Sequence, residues 1–338
     1  MRPNIGRLVC ALGLCAVVAA GQTLPEPGPL RVKPPKKEKE LETQTLPLPP
    51  EPPSAVIAEA SKLAFHVSPL SSKGLLTKQV RDALKALDRA NGGSTFVKLR
   101  AFVAGTGDMR RVATIVSEEF SSKKMPLPAV TTIQVGALPM EGAQVVIESI
   151  SSDKKTLNPD GLSFFSAQPP NALAAAAQAQ DAVMLQITCF VPDVNQAGKA
   201  REALAPAFPA AAMNFVQLTR LAVEAETSCE GVGRLQKPGK SPAKLVFTGI
   251  QMSFGKQEQD LRLAYGRLGR ALETMKATYD GILVIRIYSL ERAVGAKAQA
   301  LAPEFHGLAG GPAESTQVVE GLPSSDATVA MELVAVGP

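Results

Sequence analysis

"TFVKLRAFVAG", Thr95 to Gly105, is a long apolar strand interrupted only by Lys98 and Arg100, and the chain repeats it. "AVMLQITCFVPD" (Ala182 to Asp193) and "GILVIRIYSL" (Gly281 to Leu290) have the same character. Around each lies one order of elements, and such self-similarity is the first thing to settle in a sequence. Ahead of the first strand come "KLAFHVSPL" (Lys62 to Leu70) and an amphipathic helix with Leu76, Val80, Leu84 and Leu87 on one face. Behind it come a helix from Asp108 to Phe120, the strand of "PLPAVTTIQVGALP" (Pro126 to Pro139) and a last strand, "AQVVIESIS". The second stretch opens on "GLSFFSAQP" (Gly161 to Pro169) with a shortened, alanine-rich helix; the third opens on "KLVFTGIQM" (Lys244 to Met252).

Each unit reads as a strand pair, helix, strand, helix and two strands, an α+β sandwich with helices on one face of a sheet. The units are expected at 54–153, 158–236 and 241–338. Each would leave a helix-free sheet face that needs cover, and three units fused in one chain can cover one another as a closed ring of subunits does. The expectation is therefore a monomeric, intramolecular pseudo-trimer.

The rest of the chain is of another kind. Arg2 and Arg7 precede an apolar run from Leu8 to Ala20, the pattern of a secretory signal over 1–20. The run falls short of the roughly 20 residues that span a membrane. Residues 21–53, with "LPEPGPLRVKPPKKEKELETQTLPLPPEPP", are rich in proline and charge and read as an extended linker. A secreted or periplasmic location follows. Removing the signal lowers the formal charge of +5 by the two arginines Arg2 and Arg7, which leaves too small a surplus to argue for nucleic acid; with 4% aromatic residues there is no stacking platform either. Cleavage also removes Cys10 and Cys15. Cys189 and Cys229 remain, with a disulfide and plain burial as the two open readings.

The order and spacing of these pieces resemble the RidA-type reactive intermediate deaminases, also called the YjgF or L-PSP endoribonuclease family. The pieces that carry the resemblance are the opening Leu245, Val246, Phe247, Gly249 and Gln251, the long apolar strand followed by a helix, the Pro-Ala strand, and the "LP" turn before a final strand with Glu. The resemblance implies homotrimer-like packing of chorismate-mutase-like units, with ligand clefts between neighbours. It also implies hydrolysis of enamines and imines to ammonia and a 2-keto acid, with no cofactor. An arginine would follow Pro-Ala to grip the substrate carboxylate, and a glutamate in the last strand would position water. The positions that match the arginine hold Val130, Met213 and Glu314, and those that match the glutamate hold Val146, Ser228 and Ala330. A second glutamate persists two residues on, as Glu148, Glu230 and Glu332. The expectation is a binding or scaffold protein for a small metabolite or an envelope partner; the alternative is a deaminase with a rearranged anchor such as Arg100 or Arg286.

Other candidates are weaker. His66 and His306 are the only histidines, and neither has metal-ligand spacing to Asp, Glu or Cys. His306, after Phe305 at a helix end, reads as a cap or surface residue, and Tyr265 as part of a core stripe.

Overall fold

The structure is a computed structural model that describes residues 48–105, 108–220, 226–306 and 311–338. The signal and most of the linker, 1–47, lie outside the described residues. Among the described residues, fourteen strands and six α-helices follow in order: β1 (Ala55–Glu59), β2 (Leu63–Val67), α1 (Leu76–Asn91), β3 (Thr95–Ala104), α2 (Met109–Ser122), β4 (Ala129–Val135) and β5 (Val145–Ser152). Then come β6 (Leu162–Gln168), α3 (Pro170–Ala179), β7 (Ala182–Val191), α4 (Ala197–Leu204), β8 (Ala212–Gln217) and β9 (Ser228–Leu235). The last group is β10 (Lys244–Thr248), β11 (Gln251–Ser253), α5 (Glu258–Thr274), β12 (Ile282–Ser289), α6 (Arg292–Leu301), β13 (Ala313–Val318) and β14 (Val329–Val336).

Local chemistry sets the ends of these elements. Gly92 takes the left-handed conformation, φ 59°, that closes α1, and the Asp108 side chain accepts from the Arg110 amide to start α2. Gln257 and Asp260 form a reciprocal capping box on α5, while α3 opens on Pro170 at its first turn.

Three sheets share one strand order: β2-β5-β3-β4, β6-β9-β7-β8, and β10-β14-β12-β13. In each, the two central-chain strands run parallel through a helical crossover (β3 with β4, β7 with β8, β12 with β13), and the other pairs are antiparallel. The opening strand pair does not form as expected. Residues 55–59 pair antiparallel with β10, so the first strand of the 54–153 stretch extends the sheet of the 241–338 stretch. It covers the apolar "LVF" strand, which would otherwise be a bare sheet edge.

Both faces of every sheet are buried. Helices cover one face: Val80, Leu84, Leu87 and Ile115 meet Leu99, Ala101 and Ile147 in the first sheet, and Leu261, Tyr265 and Leu268 meet Ile285, Ile287 and Met331 in the third. Tyr265 is core, stacked on Phe305 with ring centroids 4.4 Å apart. The other faces meet one another around a common axis. At one end Leu63, Phe65, Leu162, Val232, Leu245 and Phe247 pack together; at the other Phe102, Ile133, Val146, Phe190, Val216, Tyr288 and Ala330 do so.

Candidate functional site

Between those two apolar layers lies a layer of charge. In the three sheets the register pairs Arg100 with Glu148, Thr188 with Glu230, and Arg286 with Glu332. The adjacent parallel strands supply Thr131, Asn214 and Ser315 at the same level. Arg100 reaches across sheets: Nη2 lies 2.6 Å from Glu148 Oε2 and Nη1 lies 2.7 Å from Glu230 Oε1, and it also donates to Tyr288 and Thr188. Arg286 Nε lies 2.6 Å from the same Glu230 oxygen. Lys98 donates to Thr131 and the Thr248 carbonyl and lies 2.7 Å from Glu332 Oε2, which also accepts from Thr131. Glu148 accepts from Thr188 and Asn214 besides.

Burial alone would raise the Glu332 carboxyl, but Lys98, Arg100 and Arg286 hold it well below the usual carboxylate range. Burial opposes Arg286 and Arg100 at Glu230 in the same way, and the cations again win. Lys98 moves the other way, lowered by burial against the pull of Glu332. The sequence signal for this layer was present in the two charges of the apolar strand β3 and in the glutamate repeated in β5, β9 and β14. Its partners were not, because they come from different sheets.

Grooves open where neighbouring sheets meet. One, about 980 Å³, has Val67, Ser68, Leu70, Leu138, Met140 and Val146 on the first-sheet side and Asn195, Arg201, Met213, Asn214 and Phe215 on the second. Arg201 stacks over the Phe215 ring, 4.6 Å from its centroid. A second groove, about 640 Å³, runs between Val130, Thr132 and α2 on one side and Ile250 and Met252 on the other, with Leu48 to Pro53 forming part of its wall. Here the Ile250 amide donates to the Val130 carbonyl. At the third seam the Glu314 amide donates to Ser166 Oγ of β6, and the Glu314 carboxylate accepts from Gln299.

The predicted positions fall as follows. Val130, Val146 and Met213 line grooves, and Glu314 sits at the third seam. Ser228 accepts from Gln317, and Ala330 is buried in the axial layer beside Tyr288. Arg100 and Arg286 belong to the charge layer rather than to a groove wall. Cys189 and Cys229 are directly opposed in β7 and β9 and are bonded. His66 is opposite Ser149, away from the charge layer, and burial lowers its pKa. His306 is not a surface residue: it is 6% exposed, packed in at the end of the turn that follows α6. Arg201 on Phe215 and the Leu48 to Pro53 wall were not foreseen; no periodic signal marks either.

No family model matches the chain, and no curated protein matches it. Solved structures similar to it include a chorismatase, 10% identical, covering 84% of this chain and 77% of that one with a TM-score of 0.45. A member of the YjgF/YER057c/UK114 family from Mycobacterium tuberculosis is 22% identical over 27% of this chain and 78% of its own, with a TM-score of 0.26. A YjgF-family protein from Neisseria meningitidis is 16% identical over 28% and 80%, with a TM-score of 0.25.

Among the described residues, no cluster of His, Cys, Asp or Glu could hold a metal ion, and no helix is long and apolar enough to cross a membrane. Chemically, the first groove offers an apolar body with a few polar contacts, the usual makeup of a small-molecule site. The charge layer offers three cations and three carboxylates that satisfy one another.

Proposed function

We propose that this chain is an exported, single-chain pseudo-trimer of three RidA-type units that binds a small, largely apolar metabolite in the groove between its first and second sheets, without deaminase turnover. The observation that carries this reading is the pairing of Arg100 and Arg286 with buried glutamates, while Val130, Met213 and Glu314 stand where the resemblance needs a carboxylate-gripping arginine. A groove of about 980 Å³ with Leu70, Leu138, Met140, Met213 and Phe215 in its walls suits an apolar ligand. The Cys189–Cys229 bond agrees with an oxidising compartment, where disulfides persist.

A second reading has one supporting observation. Arg201 stands in that groove stacked on Phe215, a cation available to a carboxylate, which keeps a rearranged deaminase in view. One experiment separates the two. Purified protein is assayed for ammonia release from freshly generated 2-aminoacrylate beside an arginine-bearing deaminase, while a panel of apolar metabolites is titrated calorimetrically against the protein and a Met213→Arg variant. The binding reading expects no turnover, saturable binding and its loss in M213R. Comparable turnover overturns it, as does a light-scattering mass of three chains.

A further inference from the structure

Glu332 Oε1 is held loosely: it accepts one long bond from Tyr288, at 3.3 Å, and stands 3.6 Å from Arg100 Nη1 and 3.7 Å from Arg286 Nη1. The gaps to the two arginines exceed a direct hydrogen bond and are the separation at which a bridging water should be sought. Beside them is a cavity of about 30 Å³, bounded by Arg100, Gln186, Arg286 and Glu332 on its polar side and by Val232 and Phe247 on its apolar side. Gln186 is 6% exposed, and its Nε2 has no partner. A buried donor left unmade is costly, and buried polar groups of this kind are ordinarily satisfied by ordered water.

We propose that one ordered water occupies this cavity, accepting from Gln186 Nε2 and an arginine Nη and donating to Glu332 Oε1. Volume permits it, since a water needs roughly 10–15 Å³ of such space. Charge favours it over an anion. Lys98, Arg100 and Arg286 already balance Glu148, Glu230 and Glu332, so a halide would add an uncompensated buried charge. Hydrogen bonding favours it too, because Glu332 Oε1, with one long bond from Tyr288, has room for a second donor and a halide has none. Arg286 is the arginine with an Nη to spare, since Arg100 Nη1 already donates to Glu230 and Tyr288, so the water would join Gln186 of β7 to Arg286 and Glu332 of β12 and β14.

The test is a crystal structure of the whole chain, grown once in chloride and once in bromide. The expected result is a single peak at about 2.7–3.2 Å from both Gln186 Nε2 and Glu332 Oε1 with no anomalous signal in bromide. An empty cavity overturns the proposal, and so does a bromide peak, which would assign an anion. A Gln186→Met variant, similar in volume but without the donor, is expected to lose the peak; retention of the peak overturns the assigned donor. If that variant does not fold, the two wild-type crystals still decide.

Discussion

Leu99 and Arg100 are neighbours in β3 that face opposite ways, and the two faces are built on different principles. Leu99 points to the helices, where the core is mainly apolar, with the buried Ser149 beside it. Arg100 points to the axis, where apolar layers enclose ion pairs between sheets. Hydrophobic packing is tolerant of small slides, since one methyl group serves much like another. A buried ion pair is not, because a displaced charge loses its partner while remaining out of water. The helix side therefore supplies adhesion, and the axial side fixes how the three sheets register against one another.

Acid should break this comparison most severely. Glu332 and Glu230 are held below the ordinary carboxylate range in the fold, so between their folded and unfolded pKa values the unfolded chain binds more protons. Their stabilisation is present above about pH 4.3, the ordinary Glu value, and is lost as pH falls through and below it. Urea midpoints are expected to be level down to about pH 5 and to fall progressively from there to about pH 2. A flat profile would show that the axial charges do not hold the sheets.

Arg100→Met comes next, at about 3–5 kcal/mol, because it leaves buried glutamates without their shared cation. Leu99→Ala on the opposite face is expected at about 2–5 kcal/mol, as a cavity in an apolar core. Equilibrium unfolding of both variants sharpens the contrast further through hydrogen exchange. Arg100→Met should loosen all three sheets, Leu99→Ala only the first. Smaller still is removal of the Cys189–Cys229 bond by a double alanine variant, about 2–4 kcal/mol for a bridge spanning a sequence separation of 40. Faster exchange confined to β7 and β9 is the expected signature.

Much of the architecture was legible because Thr95 to Gly105 has two echoes and each carries the same sequence of helices and strands around it. The helix stripes of Leu76, Val80, Leu84 and Leu87 and of Leu261, Tyr265, Leu268 and Leu272 fell where periodicity put them. Alternation along a strand tells which side chains share a face, though not what covers that face. For this reason Arg100 could be set on β3 from sequence, while its contact with Glu230, from a different sheet, could not. The same gap hid the pairing of Ala55–Glu59 with Lys244–Thr248, because a short apolar strand names no partner. The even cysteine count left bonding open until Cys189 and Cys229 were found opposite each other.

That first strand has a consequence for how the chain can be cut and rejoined. β10 carries β1 on one side and β14 on the other, with Ala58 and Val336 both set against Leu245. β1 begins at Ala55 opposite Thr248 and β14 ends at Val336 opposite Leu245, so the start of one and the end of the other lie two strand spacings apart across the sheet and three residues apart along it, roughly 14 Å. A short peptide would bridge them, and new termini opened in the connection between β5 and β6 would leave every sheet with its strands. During synthesis the first strand must wait for a partner near the end of the chain before that sheet is complete.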